Sequence, residues 1–402
     1  MDSFREEVQQ IVDQEIVQFI RLAFCDVFGK RKNIAIQPSE LTRAFESGIT
    51  IDGSAIPGFG CDVRSDLFLH PYPATLSALP WRSVNGKVVR MLCRVAYPDG
   101  KTLEADTREI LRTAVKAAET RGIRFYFGTE MEFYLFKTDE NGDPTKIPYD
   151  NAHYMDISPL DKGENIRREI CLTLEQMGIH PECSHHEEGP GQNEIDFRYS
   201  DPVTAADNAI SFRSVVETIV AHNGLCADFS PKPLPDQPGN GLHINISVKS
   251  EDGQDLLPFV VAGILDKIYE ITAFLNPQEA SYQRLGNSKA PGYIGWGEEN
   301  RSQMIRIPAS TPETHRAELR SADSTLNPYI AFALLIYAGL SGIDRKLPLP
   351  PSVEINLYQA DARQLTSLRT LPKSLSEARL SAKESVFVQE HLPQSVISAY
   401  CG

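Results

Sequence analysis

Pairs of acidic side chains recur in segments that are otherwise strongly apolar. Glu130 and Glu132 interrupt the aromatic stretch 125–136, and Glu194 and Asp196 occur in the segment NEIDF. Residues two apart on a strand point to the same side of a sheet, so each pair places two like charges on one face. That arrangement is unfavourable unless a cation balances it. The pattern therefore predicts carboxylate ligands for a divalent cation.

Two further segments carry polar groups with the same spacing. The segment LHINISV contains His243 and Asn245, and AELRS contains Glu318 and Arg320. A solvent-exposed sheet face alternates in the same way, and for any single strand this explanation is favoured. The four segments together, each with an apolar opposite face, instead favour one sheet face lined by carboxylates and one histidine. Such ligands suit Mg²⁺ or Mn²⁺.

Arginines are concentrated in and beside the irregular region 276–320, at positions 284, 301, 306 and 320. Surface arginines are common and usually inert. Here they are interleaved with the proposed metal strands, and arginine is the residue best suited to bidentate contacts with carboxylates or phosphates. Acids that hold metal ions beside arginines that hold anions indicate metal-assisted phosphoryl transfer. The sequence contains neither a P-loop motif nor the protein-kinase motifs.

Strands and helices are predicted to alternate without a regular βαβ rhythm, which favours an α+β fold with a mainly antiparallel sheet. The strands expected to position the polar groups are 124–136, 193–199, 242–248, 303–307 and 316–321, and residues 137–160 are expected to form a polar loop. Residues 1–104 are predicted to form a small mixed domain and residues 105–402 a larger one, with a boundary just after the turn at Pro98–Gly100.

Composition excludes some classes of partner and compartment. The net charge is −14 with no dense Lys/Arg block, so nucleic acid is not an expected partner. The longest apolar run, Tyr329–Ile343, is too short to span a membrane and is expected to be a buried helix. The seven cysteines are scattered, and no apolar leader segment is evident at the N-terminus. These features predict a reduced, cytoplasmic protein.

Six motifs, in order, resemble those of the glutamine synthetase family, type I, and the resemblance covers about residues 16–395. They are DGSAIPGF at 52–59, GTEMEFYLF at 128–136, HHEEGPGQNEIDF at 185–197, GNGLHINIS at 239–247, NRSQMIRIP at 300–308, and AELRSAD…NPY at 317–329. The resemblance implies an N-terminal β-grasp domain and a catalytic domain whose antiparallel sheet forms a funnel.

The resemblance also implies roles for individual residues. One metal ion would be held by Glu132, Glu187 and Glu194, and another by Glu130, His243 and Glu318. On the substrate side, the implied residues are Arg301 and Arg306 for ATP phosphates, Arg284 for the substrate carboxylate, and Gly239 in a loop that touches the amino acid. Asp52, Glu318 and Arg320 would be catalytic, with Arg320 near the transferred group and Asp52 reaching into a neighbouring subunit to help bind ammonium.

The implied activity is that of an ATP-dependent carboxylate–amine ligase of nitrogen metabolism. In the family, glutamate and ATP give γ-glutamyl phosphate, which ammonia attacks to form glutamine. Two or more Mg²⁺ or Mn²⁺ ions per site and a homo-oligomeric ring with active sites shared between subunits are also implied. Small molecules are therefore the expected partners, with no role for nucleic acid or membrane.

Three positions depart from the family pattern. Lys289 stands where the family's flap carries a glutamate that receives a proton from ammonium, and a cation there would repel ammonium. The loop 238–243 reads PGNGLH instead of NGSGMH. The sequence ends at Gly402, before the family's C-terminal helical extension, so a stacked double ring is not assured.

Three hypotheses for function are therefore open. The first is a glutamine synthetase, and the second is a relative that joins glutamate or a similar acid to a different amine. The third is a non-catalytic, ring-forming homologue. The complete acidic set argues against the third, because buried carboxylates without a use would only destabilise the protein.

Overall fold

The computed structural model describes residues 2–60, 63–82, 86–287, 289–311 and 314–402. These residues form two sheets with helices packed around them, and most strand pairs are antiparallel. The predicted α+β class is confirmed. No helix in the described ranges is long and apolar enough to cross a membrane. None of the six cysteines in those ranges forms a disulfide.

The N-terminal sheet contains six strands and is flanked by two helices. Its elements are α1 (Asp2–Gln14), β1 (Val17–Cys25), β2 (Arg31–Ile36), α2 (Leu41–Glu46), β3 (Ile49–Asp52), β4 (Asp66–Pro71), β5 (Ser77–Ala78) and β6 (Lys87–Ala96). The strand order is β2-β1-β6-β4-β3, with β5 paired to β6. Strands β1 and β6 run parallel, and the other pairs are antiparallel.

The larger sheet contains nine strands in the order β13-β14-β15-β12-β7-β10-β9 with β8 and β11 also paired to β7. Its elements begin with α3 (Thr107–Glu119), β7 (Ile123–Thr138), β8 (Pro144–Pro148), α4 (Glu164–Gln176), β9 (Pro181–His186), β10 (Gln192–Phe197), α5 (Pro202–His222) and β11 (Leu225–Asp228). They continue with β12 (Leu242–Ser250), α6 (Leu257–Leu275), α7 (Glu279–Arg284), β13 (Trp296–Glu298), β14 (Ile305–Ile307), β15 (Ala317–Leu319) and α8 (Pro328–Asp344). Four short helices follow, α9 (Ala362–Leu365), α10 (Leu375–Glu384), α11 (Val386–His391) and α12 (Gln394–Cys401).

The long central strand β7 separates the core from the polar face of the sheet. On one face, Phe127 stacks on Phe332 of α8 with ring centroids 4.5 Å apart, and Phe133 meets Phe212 of α5 edge-on at 5.9 Å. These side chains are fully buried. Because side chains alternate along a strand, the intervening residues point to the opposite face, where Glu130 lies. The core therefore fixes the direction in which the acidic side chains point.

Short elements at the edges of the sheet were not predicted from the sequence. Residues 137–160 were expected to be a polar loop but include β8, and the irregular region 276–300 includes α7 and β13. Strands β9 and β11 were also missed. Their segments lack sustained apolar alternation and are held in place by pairing with β10 and β7, a tertiary effect that local pattern does not report.

The apolar run at residues 329–343 forms most of α8, which is almost entirely buried. It packs against α6, α3 and α5, so the expectation of a buried helix is confirmed. The predicted domain boundary at residue 104 falls between the end of β6 and the start of α3. Asp106 caps α3 by accepting hydrogen bonds from the backbone of Arg108 and Glu109.

Candidate active site

Strand register brings the predicted acidic residues together. Across the β7–β10 pair, Glu132 lies opposite Glu194 and Glu130 lies opposite Asp196. On the other side of β7, Glu130 lies opposite His243 of β12. Directly opposite side chains in an antiparallel pair lie close together on the same face. Three adjacent strands thus place four carboxylates and one imidazole on a single surface.

The pattern continues through the next two strands of the sheet. Glu318 of β15 pairs with Asn245 of β12 on one side and with Arg306 of β14 on the other. An Nη atom of Arg306 donates to Glu318 at 2.7 Å, and Arg320 makes a second, very short ion pair with the same carboxylate. Glu318 is only 1% exposed, so its contacts are made by these arginines and by His243 at 3.7 Å.

These strands form one wall of a cavity of about 580 Å³. Twelve residues singled out from the sequence line it, namely Glu130, Glu132, Glu187, Glu194, Asp196, Gly239, His243, Arg284, Lys289, Arg301, Arg306 and Arg320. Glu318 lies directly behind the wall. Asp52 does not line this cavity, since it ends β3 in the N-terminal sheet, where its carboxylate accepts hydrogen bonds from Ser54. Its predicted role in a neighbouring subunit's site remains a prediction.

The acidic half of the cavity contains two groups of side chains with the spacing of metal ligands. Ligand atoms of Glu130, Glu194 and His243 lie within 4.8 Å of one another, as do those of His185, Glu187 and Glu194. Glu132 is adjacent, with one oxygen 3.9 Å from His243 Nε2. The two ligand triads implied by the resemblance divide these residues differently, and that division stays a prediction.

Among the described residues, no lysine or arginine forms an ion pair with Glu187 or with the carboxylates of β7 and β10 that line this half. Burial, together with the neighbouring carboxylates of Glu132, Asp196, Glu130 and Glu187, raises the pKa of Glu194 well above its ordinary value. Burial and the same crowding raise the pKa of Glu187 and that of Asp196. Hard oxygen donors crowded together in this way are the ligands that Mg²⁺ and Mn²⁺ require, so the residues present fit a divalent cation.

Glu130 differs from its neighbours because it has strong hydrogen-bond partners. Burial opposes its ionisation, but hydrogen bonds from His243 Nδ1 at 2.9 Å and Asn245 at 2.8 Å lower its pKa to about 2. Asn245 is in turn fixed by Arg316, whose Nε donates to its side-chain oxygen at 2.9 Å. Glu130 is therefore held as a charged ligand in one orientation.

The cationic half of the cavity contains donors without acidic partners. Arg284 is 3% exposed and donates to the backbone carbonyls of Ser321 at 2.9 Å and Arg320 at 3.3 Å. Among the described residues it makes no ion pair, and burial lowers its pKa. The Arg301 side chain is exposed at the cavity wall. A ligand carboxylate or phosphate would supply the missing charge.

Lys289 lies at the rim of the same cavity. It forms an ion pair with Glu188 at 2.7 Å; the Lys289 side chain is mostly exposed and that of Glu188 is partly exposed. The Lys289 backbone adopts a left-handed conformation with φ +66°, which is uncommon for a residue with a side chain. The neighbouring Ser288 lies outside the described residues. A lysine is thus present at the opening of the cavity.

Several cavity residues were missed by sequence reasoning. Gln192 and Arg316 lie two residues before Glu194 and Glu318, so the same period-two rule would have found them. Tyr154 comes from the segment expected to be a polar loop, and no sequence signal marks it. The adjacent histidines point apart, as expected, because His185 lines the cavity whereas His186 is fully buried.

A second cavity of about 860 Å³ adjoins the first on the same sheet face. The two share Glu130, Asp196 and Arg316 as lining residues. Its remaining wall includes Tyr199, an exposed aromatic side chain, and Ser247 of β12. The sheet therefore carries a continuous trough, with acids and arginines at one end and an aromatic group at the other.

Comparisons with known proteins agree with this architecture. The family profile described as the glutamine synthetase catalytic domain matches residues 104–402, and the one described as the glutamine synthetase β-grasp domain matches residues 16–98. A glutamine synthetase from Methanosarcina mazei is 41% identical over 98% of this chain and 92% of its own length. Glutamine synthetases from Clostridium saccharobutylicum, at 39%, and Staphylococcus aureus, at 38%, match over the same share of this chain.

Solved structures match over almost the whole chain as well. One described as a GmaS/ADP complex superposes with a TM-score of 0.88 at 24% identity, covering 98% of this chain and 94% of the other. One described as apo GmaS gives 0.87 at 25% identity, covering 98% and 93%. These likenesses support the shared fold, and the sequence matches go further. With both domain profiles in order and relatives near 40% identity over its full length, the chain belongs to the glutamine synthetase family.

Proposed function

We propose that this protein is a glutamine synthetase, an ATP-dependent ligase that joins glutamate and ammonia through γ-glutamyl phosphate. One observation carries the proposal. Crowded carboxylates, and two arginines (Arg284 and Arg301) that form no ion pair among the described residues, converge on the same 580 Å³ cavity, within a fold shared by the family. Such a cavity can hold divalent cations at one end and anionic groups at the other, which is what phosphoryl transfer to a carboxylate requires.

The acidic half would hold the metal ions. Glu130, Glu132, Glu187, Glu194 and His243 are the proposed ligands, with Glu318 behind them. Divalent cations bound there would neutralise charge on the terminal phosphates of ATP and polarise the phosphorus for attack. Gln192, which donates to Glu132 at 3.2 Å, and Asn245 hold two of these carboxylates in fixed orientations.

The cationic half would bind and orient the substrates. Arg301 and Arg306 are proposed to contact ATP phosphates, and Arg284 the carboxylate of glutamate, with Gly239 leaving room for the amino acid. A side chain at position 239 would collide with a backbone oxygen at 2.2 Å. Arg320, already fixed by Glu318, would stabilise charge that develops on the transferred group. The adjoining cavity would receive the nucleoside.

A homo-oligomeric ring is part of the proposal. Asp52 lies on the N-terminal sheet, away from its own chain's cavity, and is exposed. A neighbouring subunit could bring this carboxylate to the mouth of the site, where it would favour ammonium over neutral competitors. Activity that depends on protein concentration, and loss of activity in Asp52→Ala with the ring intact, would support this role. The proposed compartment is the cytoplasm.

A second candidate function rests on Lys289. In this position a cation opposes ammonium, and it also engages the nearby carboxylate of Glu188 in an ion pair. A larger amine, particularly one that carries its own carboxylate, would be better suited to this opening. The second candidate is therefore a ligase that joins glutamate or a similar acid to another amine.

A substrate panel separates the candidates. Mg²⁺-dependent phosphate release is measured with glutamate plus ammonium, and with glutamate plus a set of organic amines. Turnover with ammonium supports glutamine synthesis, whereas turnover only with an organic amine supports the second candidate. No turnover with any acceptor, while ATP still binds, would support a non-catalytic homologue.

The variant Lys289→Glu sharpens this experiment. Removing the repulsion at the rim is expected to lower the KM for ammonium by about ten-fold, with kcat changed less. Lys116→Glu makes the same charge change on an exposed face of α3 and serves as the control. Equal effects of the two variants would show that Lys289 does not act at the acceptor entrance.

A further inference from the structure

A second basic cavity lies on the far side of the segment that follows β15. It has a volume of about 540 Å³ and is formed by the β1–β2 turn, helix α5, the start of α7 and the C-terminal helix α12. None of the residues discussed for the active site lines it. Its size is close to that of the active-site cavity, so it can accommodate a small organic molecule.

The charge of this cavity is opposite to that of the protein. Lys30, Arg31, Lys32 and Arg213 line it, and Glu217 is the acidic residue among its lining residues. The balance is four positive charges against one negative charge, in a chain whose net charge is −14. Basic residues gathered in a concave site raise the local concentration of anions.

The turn that carries the basic residues is rigid. The carboxylate of Asp26 accepts hydrogen bonds from the backbone N–H groups of Phe28 at 3.0 Å and Lys30 at 2.9 Å. The carbonyl of Val27 accepts from Asn327 and from the hydroxyl of Tyr400, each at 3.0 Å. The backbone that carries the basic side chains is therefore largely fixed before any ligand arrives, which lowers part of the entropic cost of binding.

Two arginines that line the cavity have N–H groups from which no carboxylate of the described residues accepts a hydrogen bond. Arg31 forms an ion pair with Glu217, but its Nη1 is buried and has no hydrogen-bond partner among the described residues. Arg213 donates only to the carbonyls of Ser324 at 3.1 Å and Leu326 at 3.2 Å, and the described chain offers it no ion pair. Burial and the nearby charge of Arg31 lower the pKa of Arg213. A bound anion would accept hydrogen bonds from both arginines and balance their charge.

The remaining wall is apolar and aromatic. Phe28, Phe229, Pro277 and Tyr400 lie beside the basic residues. Such surfaces favour a ligand with a carbon skeleton over a bare inorganic ion. Ser324 and Thr325 complete the lining.

The cavity is joined directly to the active site through Ser324. Its carbonyl accepts the hydrogen bond from Arg213, while its hydroxyl donates to the carbonyls of Gly241 at 3.0 Å and Glu132 at 3.3 Å. Glu132 is a proposed metal ligand. An anion that draws Arg213 away from Ser324 would therefore act on the backbone that positions this carboxylate.

We propose that this cavity is an effector site for a small organic dianion, carrying carboxylate or phosphate groups, whose binding changes turnover at the active site. The anionic groups contact Lys30, Arg31, Lys32 and Arg213, and the carbon skeleton lies against the aromatic wall. The proposal concerns a separate ligand and does not depend on which amine the active site accepts.

The test is calorimetric titration of the intact oligomer with two probes, phenyl phosphate and phthalate, which distinguish a phosphate ligand from a dicarboxylate. Binding of at least one probe with a Kd below about 1 mM is expected. The double variant Lys30→Ala/Lys32→Ala should weaken that binding by about ten-fold or more, since neither ammonium group has a protein partner in the described chain. Arg301→Ala, in the active site, should leave it within about two-fold.

Turnover is measured over the same probe concentrations. It should change with a midpoint that follows the measured Kd in the unaltered protein, and the change should disappear in the double variant. The proposal is overturned if neither probe binds, if binding survives in Lys30→Ala/Lys32→Ala, if it is lost in Arg301→Ala, or if binding leaves turnover unchanged. Arg213→Met is a supplementary variant, interpreted only if its melting temperature is preserved.

Discussion

Two clusters in this protein contain the same functional groups, two carboxylates and one imidazole, but differ in whether the charges are balanced. One is the acidic half of the active-site cavity, where Glu130, Glu194 and His243 come within 4.8 Å of one another. The other consists of Asp150, Asp161 and His186, whose ligand atoms also lie within 4.8 Å of one another and which are buried. Ligand spacing alone does not distinguish them.

In the buried cluster every charge has a partner. Asp161 forms a bidentate ion pair with Arg167, and Asp150 accepts from His186 at 2.9 Å and from the backbone of Gly191 at 3.0 Å. The other ring nitrogen of His186 lies 2.6 Å from the carbonyl of Glu187. Although burial opposes both ionised forms, these contacts lower the pKa of Asp150 and raise that of His186.

In the cluster of the active-site cavity, the negative charges are not balanced in this way. Four of the lining carboxylates crowd on strands β7 and β10, and burial with mutual repulsion raises the pKa of Glu194. The comparison teaches that uncompensated charge, and not the presence of ligand-type residues, marks the reactive region. The buried cluster is a structural element that holds the segment 186–191 in place beside the cavity.

The largest effect is expected from Glu132→Ala. Removing a proposed metal ligand should lower Mg²⁺-dependent ATP turnover by about 10³-fold or more, because the charge on the transferred phosphate loses its stabilisation. Phosphate release under saturating substrates measures the effect, and Glu119→Ala on the exposed end of α3 is the matched control. Near-normal turnover in Glu132→Ala would contradict the site assignment.

The next largest effect should come from the buried cluster and should concern stability. Arg167→Met leaves the carboxylate of Asp161 buried without its cation, and the free energy of unfolding should fall by about 3–5 kcal/mol. Urea denaturation measures this change. The remaining folded protein should still respond to Mg²⁺, and loss of that response with little change in stability would reverse the roles assigned to the two clusters.

A smaller effect, with the opposite sign, is expected from Glu194→Gln in protein stripped of metal by a chelator. When a carboxyl has a raised pKa in the folded state, the folded protein loses stability as the pH rises above the ordinary pKa of that group, which is 4.5 here. The variant avoids this loss, so its advantage in melting temperature over the unaltered protein should grow between pH 5 and pH 8. The gain should be on the order of 1 kcal/mol at pH 8. A constant difference across that range would contradict the proposed charge crowding.

The smallest effect should come from the exposed pair at the rim. Glu188→Gln removes the partner of Lys289, but solvent screens this interaction, so the free energy of unfolding should change by less than about 1 kcal/mol. The same denaturation measurement serves here. A loss comparable to that of Arg167→Met would mean that the rim is structurally coupled to the core.

Much of the site could be predicted from the sequence because its signal is local. Period-two acids in apolar segments indicated the shared face, and strand register then placed Glu132 opposite Glu194 and Glu130 opposite Asp196. The α+β class followed from the mixed order of elements. The roles of the arginines and the identity of the substrate came from the family resemblance, since residue type and spacing alone do not specify them.

The charge balance of the two clusters could not be predicted from the sequence. Nothing local shows that His186 bonds to Asp150, thirty-six residues earlier in the chain, while His185 next to it faces the cavity. Similarly, the edge strand β8 exists because it pairs with β7, and the basic cavity exists because the β1–β2 turn meets α5. These features depend on contacts between distant segments, which residue patterns do not report.

The central claim, that the uncompensated acids bind divalent cations, is tested most directly by titration of the purified protein with Mn²⁺, followed by electron paramagnetic resonance. The account predicts at least two bound ions per chain, with one or more lost in Glu194→Ala and none lost in Asp161→Asn. Unchanged stoichiometry in Glu194→Ala, or loss of an ion in Asp161→Asn, would contradict it.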